Sequence, residues 1–191
     1  MLSKYKPGQD RWEPSIVASL DPRFAEKLSL VFDKLLEEGV VLRPYSGFRG
    51  PLEQAILWCQ SRTALEVSLI VKRLQEEQAP YLAKVLQRAL MICQPGRWAT
   101  NNLPGQSWHN FGLAVDAHVV SEDGRAVWGP KHPAYSRYAE LVREAGLFPG
   151  YDLARQDVVH VQALAGPVRT FKGPWRQVSF ELERLYPADA G

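Results

Sequence analysis

Two pairs of residues carry the clearest chemical signal in this sequence of 191 residues. His109 and Asp116 stand seven positions apart around Gly112, and Asp157 precedes His160 by three positions further along the chain. A catalytic zinc site takes three ligands from the protein and keeps a fourth position open. Two imidazoles, one carboxylate ligand and one spare carboxylate are the groups that such a site requires. The sequence therefore predicts a catalytic metal centre.

The chemistry of these four residues suggests different roles. His109, Asp116 and His160 are the predicted ligands of one Zn²⁺ per chain, with the open position left for water. Asp157 is close to a ligand in sequence but is not needed as one. We therefore expect it to be the general base, which takes the water proton and passes it to the leaving amine of a peptide. The same ligand set accepts other first-row metals, so the metal used in the cell stays open.

Each of these residues, taken alone, has an ordinary structural interpretation. A lone histidine is more often a hydrogen-bonded structural residue than a ligand, and a lone aspartate is more often a turn or cap residue. The joint pattern favours the metal centre. His118 shares a strand face with Asp116, so it is either a partner of the ligands or a spare ligand. His132, before a predicted helix, is interpreted as a surface or structural residue.

The spacing of the two pairs constrains the backbone. His109 and Asp116 are an odd number of residues apart, so on one uninterrupted strand they would face opposite sides of the sheet. Gly112 is the residue between them that can adopt the bend which brings them together. Asp157 and His160 pose the same problem, and we expect Asp157 in the turn before the strand that carries His160.

Hydrophobic spacing, helix caps and turn residues predict the elements that hold these residues. The predicted helices cover residues 21–39, 51–61, 63–93 as a pair hinged at Ala79-Pro80, 133–146 and 174–186. The predicted strands cover residues 40–42, 113–120, 126–128 and 158–163, and a long loop covers 94–106. This order predicts an α+β fold in a single domain over residues 1–191.

Composition excludes some classes of partner. A formal net charge of +2 and the lack of clustered Lys and Arg argue against a nucleic-acid-binding protein. No apolar run reaches membrane-spanning length, so we expect no membrane insertion. The first residues lack the apolar core of a signal peptide, which predicts synthesis in the cytoplasm. Cys59 and Cys93 lie in apolar helical segments and are interpreted as buried free thiols rather than a disulfide.

A longer pattern resembles the zinc-binding signature of the M15 peptidases, namely Ser107-x-His109-x-x-Gly112-x-Ala114-x-Asp116 with Asp157-x-x-His160 downstream. That family includes D-alanyl-D-alanine carboxypeptidases and dipeptidases, and the L-alanyl-D-glutamate endopeptidases of phage endolysins and bacterial wall enzymes. The fuller run 104–116 is most similar to the endolysin-type L-alanyl-D-glutamate branch. Asp157 points the same way, because carboxypeptidase and dipeptidase relatives often carry glutamate there.

The resemblance also implies a fold and a set of site residues. It implies a hedgehog or D-Ala-D-Ala peptidase-like fold, in which a small antiparallel sheet carries the zinc site between flanking helices. It supports the three ligands and the base named above, and it implies that Arg49 binds the substrate or the transition state. Gln54 and Ser107 match as supporting residues. Residues 63–93 are longer than the expected link between the two motifs, so we interpret them as a helical insertion.

The function implied by the resemblance is hydrolysis of the L-alanyl-D-glutamate bond of peptidoglycan stem peptides in endolysin-like wall lysis, by a monomer that acts after release from the cytoplasm. A housekeeping enzyme that acts on recycled muropeptides agrees almost as well with the lack of a signal peptide. A D-alanyl-D-alanine carboxypeptidase is the second enzymatic alternative. The non-enzymatic alternative is a zinc-containing wall-binding module without turnover.

Overall fold

A computed structural model of the chain describes residue 16 and residues 18–190. Within these residues the helices are α1 (Pro22–Glu37), α2 (Pro51–Cys59), α3 (Ala64–Glu76), α4 (Pro80–Ile92), α5 (Pro133–Glu144), α6 (Val168–Lys172) and α7 (Trp175–Leu185). The strands are β1 (Val41–Ser46), β2 (Ala114–Val120), β3 (Ala126–Val127), β4 (Phe148–Pro149) and β5 (His160–Gln162). Short 3₁₀-helices cover Trp108–Phe111, Gly150–Asp152 and Pro187–Ala190.

The chain divides into two compact units. The first contains the residues up to Phe48 together with Phe111–Ala165, and the second contains Arg49–Asn110 and the residues from Gly166 onward. The division falls inside the 3₁₀-helix Trp108–Phe111, which therefore contributes residues to both units. Folding as a single domain, and the insertion of residues 63–93, stay predictions.

The first unit is built on an antiparallel sheet with strand order β1-β2-β5-β4, in which β3 also pairs with β2. Side chains alternate across β2, as they must in an extended strand. Val115, Ala117 and Val119 are buried in the core with residues of α1 and α5, whereas Asp116 and His118 lie on the opposite face. One face of the central strand therefore stabilises the unit, and the other face presents polar groups.

The two strands at the ends of the order β1-β2-β5-β4 both contain a proline. Pro44 lies in β1, and Pro149 lies in the two-residue strand β4. Proline has no N–H to donate to a neighbouring strand, and it is therefore tolerated mainly at sheet edges.

β1 extends four residues beyond its predicted end at residue 42, because it continues to pair with β2 as far as Ser46 opposite Asp116.

Local caps explain where the helices of the first unit begin. Asp21 Oδ1 accepts hydrogen bonds from the backbone N–H groups of Arg23 and Phe24, and Pro22 occupies the first turn of α1. These contacts satisfy backbone donors that a helix start leaves without partners. The predicted capped helix after residue 21 is confirmed.

The second unit is helical. Residues 63–93 form two helices, as predicted, with a capping box of Thr63 and Glu66 at the start of α3. The break falls at Gln78, whose φ is 57°, just before Ala79. α4 is held to the C-terminal segment by a 2.6 Å hydrogen bond from the Tyr81 hydroxyl to the carbonyl oxygen of Tyr186.

The α+β prediction is confirmed, and the differences are local. β5 is shorter than the predicted strand 158–163, because residues 158 and 159 form a turn. β4 and α6 were not predicted, since two and five residues are too few for a hydrophobic period to show.

Both cysteines are free, with Cys59 buried and Cys93 partly buried, and burial raises the pKa of Cys59 to about 12.

None of the helices in the described part of the chain has the length and apolar character needed to cross a membrane.

Gly112 provides the bend that the spacing predicted. Its φ is +66°, a conformation that side chains with a Cβ rarely adopt. A Cβ built there would lie 2.8 Å from the backbone oxygen of Ser19 and 3.1 Å from the backbone nitrogen of Asp21. The Gly112 carbonyl oxygen also accepts a 2.9 Å hydrogen bond from that Asp21 nitrogen. The bend is therefore fixed by both conformation and close packing.

We expect Gly112→Ala to lower the free energy of unfolding by roughly 2–4 kcal/mol, because backbone strain and a backbone clash add. Gly39→Ala is the matched control: φ is +79° there, but no atom lies within 4 Å of the added Cβ. That variant should lose only about 1–2 kcal/mol, the cost of the left-handed conformation. Urea denaturation measures both values, and equal losses would show that packing against Ser19 and Asp21 has no effect.

Candidate metal centre

Asp116 and His160 form the centre of the site, within the first unit. They stand directly opposite each other on the antiparallel strands β2 and β5, so their side chains share one face of the sheet. His160 Nδ1 lies 2.9 Å from Asp116 Oδ1. Their side chains are only 14% and 13% exposed, which makes this a desolvated pair of acid and imidazole.

His109 completes the group from the 3₁₀-helix Trp108–Phe111. It is buried, and the chain after it turns at Gly112 into β2. His109, Asp116 and His160 each offer one ligand atom, and these atoms all lie within 4.8 Å of one another. Ligands bonded at about 2.1 Å in a tetrahedral site lie about 3.4 Å apart. Small side-chain shifts are therefore enough for the three predicted ligands to hold one ion.

The electrostatics of His160 suit a cation. Burial on its own would lower the pKa of His160, but the hydrogen bond and the negative charge of Asp116 outweigh burial, and the pKa is raised. Asp157 contributes to the same rise. A position that stabilises positive charge on an imidazole also favours a divalent cation, which competes with the proton for the same lone pair.

Gln162 orients His160 from the same strand. Its Nε2 donates a 2.6 Å hydrogen bond to the carbonyl oxygen of Leu164, which turns its Oε1 toward the imidazole. That Oε1 lies 3.0 Å from His160 Nε2 and accepts its hydrogen. The lone pair of the neutral ring then belongs to Nδ1, the atom that faces Asp116. Metal-binding histidines are commonly fixed in this way.

Sequence reasoning missed Gln162, although one signal was present. Gln162 lies two residues after His160, so the two share a strand face, as Asp116 and His118 do. The same test that singled out His118 would have found it.

Asp157 lies where it was predicted, ahead of the strand that carries His160. Its carbonyl oxygen accepts a 3.1 Å hydrogen bond from the His160 backbone nitrogen, which closes a turn. Its own backbone nitrogen donates to the carbonyl oxygen of Gly150 at 2.9 Å. The residue is exposed, so its carboxylate is accessible to solvent beside the ligand group.

Arg49 is held in the second unit, and its backbone is tied to the ligand helix. Its backbone nitrogen donates to the His109 carbonyl oxygen at 3.1 Å, and its carbonyl oxygen accepts from Asn110 Nδ2 at 2.9 Å. Its Nη1 donates to Gln54 Oε1 at 3.2 Å. The fully buried Gln54 is itself fixed by a 2.7 Å hydrogen bond to the carbonyl oxygen of Asn102. The structure thus joins Arg49, Gln54 and the helix of His109.

Asn110 was also missed from the sequence. It is completely buried, and besides binding Arg49 it accepts a 2.8 Å hydrogen bond from the Gly105 backbone nitrogen. A polar residue next to a ligand was the available signal, but its partner Arg49 lies 61 residues away in sequence. Ser107, the other predicted supporting residue, is buried, and its hydroxyl accepts from the His109 backbone nitrogen at 3.4 Å.

His118 lies on the face of Asp116 but outside the group of three ligands. Its ring stands 5.5 Å from the ring of Tyr45 and 5.1 Å from that of Trp128. Burial, followed by the charge of Arg43, lowers the pKa of His118, which favours the neutral ring. His132 caps α5, where its Nδ1 accepts from the Ala134 backbone nitrogen at 3.4 Å, in agreement with a structural role.

Comparison with known proteins gives a family match and several structural neighbours, of which two are described here. Residues 17–162 match the family model described as VanY, D-alanyl-D-alanine carboxypeptidase. The crystal structure of the Serratia marcescens L-Ala D-Glu endopeptidase ChiX is 17% identical with a TM-score of 0.44, and the match covers 82% of this chain and 92% of that chain. A mutant of the vancomycin resistance D,D-pentapeptidase VanY from a VanB-type cassette, in complex with Zn(II), is 19% identical with a TM-score of 0.42. That match covers 75% of this chain and 72% of the other.

We expect Gln162→Ala to weaken zinc binding about 10- to 100-fold, because His160 loses the acceptor that fixes its tautomer and orientation. Gln162→Glu is the matched variant, since it keeps an oxygen that accepts from His160 Nε2, and it should retain most of the affinity. Competition with a fluorescent chelator measures both constants. Equal affinity of Gln162→Ala and the parent would show that Gln162 does not position the ligand.

Proposed function

The chain belongs to the VanY family of the M15 peptidases, and we propose that this zinc metallopeptidase hydrolyses the L-alanyl-D-glutamate bond of peptidoglycan stem peptides. The family establishes the coarser activity, a zinc peptidase that acts on peptidoglycan. The observation that carries the proposal is the group His109, Asp116 and His160, together with the Asp157 carboxylate, whose charge acts on His160. The choice of bond rests on the similarity of residues 104–116 to the endopeptidase branch and on aspartate at position 157.

His109, Asp116 and His160 are the proposed ligands of the zinc ion. Bound zinc polarises a carbonyl group and lowers the pKa of water to about 7, so that hydroxide is available at neutral pH. Asp157 accepts the proton of the attacking water and later delivers it to the amine that leaves. Its exposure suits this exchange, and the turn that bonds its carbonyl oxygen to the His160 nitrogen keeps it near the ligands.

Arg49 supplies positive charge to the oxygen that becomes negative when the peptide carbonyl is attacked. Fixed donors aimed at a developing oxyanion stabilise the transition state more than the substrate. The buried Gln54 holds one nitrogen of the guanidinium, so the group need not be ordered during the reaction. Gln54 is therefore a positioning residue in this proposal, and Arg49 is the group that contacts the substrate.

One observation favours a second candidate activity. The matching family model is described as a D-alanyl-D-alanine carboxypeptidase, and the same ligands and base suit that reaction. A site of that kind must also bind the terminal carboxylate of the substrate.

The wall-binding module without turnover is less favoured, because a structural zinc usually has four protein ligands and the described group has three. The endolysin role, release from the cytoplasm and the monomeric state stay predictions.

We expect the zinc-loaded protein to cleave a defined stem pentapeptide between L-Ala and D-Glu, and a chelator to abolish the cleavage. Mass spectrometry of the products identifies the bond. Loss of the terminal D-Ala alone would replace the proposal with the carboxypeptidase activity. No cleavage by protein that retains its zinc would favour the wall-binding module.

Asp157→Ala should bind zinc but lose about 10²- to 10⁴-fold in kcat, the usual contribution of a general base. Asp123→Ala is the control, because Asp123 is an exposed aspartate in the turn between β2 and β3. Full activity of Asp157→Ala would exclude Asp157 as the base.

We expect Arg49→Ala to lower kcat by about 10²- to 10³-fold at unchanged zinc affinity, as for other residues that stabilise an oxyanion. Gln54→Ala should cause a smaller loss, about tenfold, because the guanidinium remains but is no longer held. Arg176→Ala, an exposed arginine on α7, serves as the control. If Gln54→Ala keeps the parent kcat while Arg49→Ala does not, Gln54 has no positioning role.

A further inference from the structure

Three aromatic rings form a cluster on the sheet of the first unit. Tyr45 comes from β1, His118 from β2 and Trp128 directly follows β3. The ring centroids are separated by 5.5 Å for Tyr45 and His118, 5.1 Å for His118 and Trp128, and 5.6 Å for Tyr45 and Trp128. We call these three residues the aromatic platform.

The platform presents apolar surface to solvent. Trp128 is 60% exposed and Tyr45 is 46% exposed. Large rings bury surface efficiently, and ring clusters of this kind are common in protein cores. A ring cluster left at the surface instead carries an unfavourable free energy of hydration, and exposed apolar patches on soluble proteins commonly mark binding sites.

The platform adjoins the metal centre. His118 follows Asp116 by two residues on β2, so both point to the same face about 7 Å apart along the strand. The cross-strand partner of His118 on β1 is Arg43, and the cross-strand partner of Asp116 is Ser46. A substrate bound at the ligands and extended along β2 therefore meets the platform within about two residues.

We propose that the aromatic platform binds the N-acetylated amino sugar to which the stem peptide is attached. The stem peptide itself carries small aliphatic, acidic and amine-bearing side chains, none of which presents a broad apolar face. A pyranose ring does, because axial C–H groups cover its two faces and its hydroxyl and amide groups lie around the rim. Tyrosine and tryptophan match this character with an apolar face and a polar edge.

The spacing agrees with the bond chosen above, and the inference rests on that proposed function. If the L-Ala–D-Glu bond lies at the zinc, a single L-Ala separates it from the sugar substituent, a span of about 7 Å with the linking group. If the D-Ala–D-Ala bond lay there, four residues would intervene, a span of about 17 Å with the same linking group. Only the first distance brings the sugar onto the platform.

The first test measures binding without catalysis. The probe is the peptide-free disaccharide of N-acetylglucosamine and N-acetylmuramic acid, observed by saturation-transfer NMR with the zinc-loaded protein. We expect transfer to the ring C–H protons, and an affinity roughly tenfold lower for Trp128→Ala. Phe180→Ala, which removes a ring that is 68% exposed on α7, should bind like the parent. Disaccharide binding that is equal in all three proteins, or absent, would overturn the proposal.

The second test compares two substrates that differ only in the sugar, an L-Ala–D-Glu peptide with and without N-acetylmuramic acid. We expect the parent to favour the sugar-bearing peptide roughly tenfold in kcat/KM, and Trp128→Ala to lose that preference. Trp128-dependent binding of the disaccharide without cleavage of either peptide would support the platform and reject the proposed reaction. Cleavage of both peptides at equal rates by the parent would retain the reaction and overturn the platform. If the protein bound N-acetyl-lysine and did not bind the disaccharide, the proposal that the aromatic platform binds the sugar would also be overturned.

Discussion

The contact between Asp116 and His160 is the interaction on which the rest of the site depends. An aspartate and a histidine that are mostly removed from water are costly to bury, and they are stable there because each stabilises charge on the other. The contact exists only while β2 and β5 keep their register, since a shift by one residue would turn one side chain to the core face. The packing of Val115, Ala117 and Val161 beneath the strands opposes that shift.

The other site residues approach this pair from less regular elements. His109 comes from a single helical turn, and Asp157 comes from a turn between short elements. Such segments have little stability of their own, so they are fixed by particular contacts. Gly112 lies against the backbone of residues 19–21, and Gly150 is so close to the Asp157 carbonyl oxygen that a Cβ would lie 2.3 Å from it. The sheet supplies rigidity, and the glycines let the loops approach it.

What could be predicted from the sequence was local in origin. The cap at Asp21, the bend at Gly112 and the turn at Asp157 each follow from a residue type and its immediate neighbours. The α+β class followed from hydrophobic periods in segments long enough to show them. Asn110 and the ring contacts of His118 were not predicted, because they involve partners that only tertiary structure or strand register defines. Gln162 was missed although its position two residues after His160 places both residues on one strand face. Gln54 was identified as a supporting residue by resemblance alone, and its hydrogen bond from Arg49 was not predicted. A spacing of five residues has no fixed meaning in a segment that passes from a loop into a helix.

The prolines in the edge strands have a consequence for how other chains can associate with this sheet. Strand addition requires a row of unpaired N–H and C=O groups along an edge, and Pro44 and Pro149 each remove a donor from such a row. An extended polypeptide, including a second copy of this protein, is therefore a poor fit for the outer edge of β1 or of β4. Edge-to-edge pairing is disfavoured at both ends of the strand order, and the polar face of the sheet remains as a surface that an extended ligand can bind.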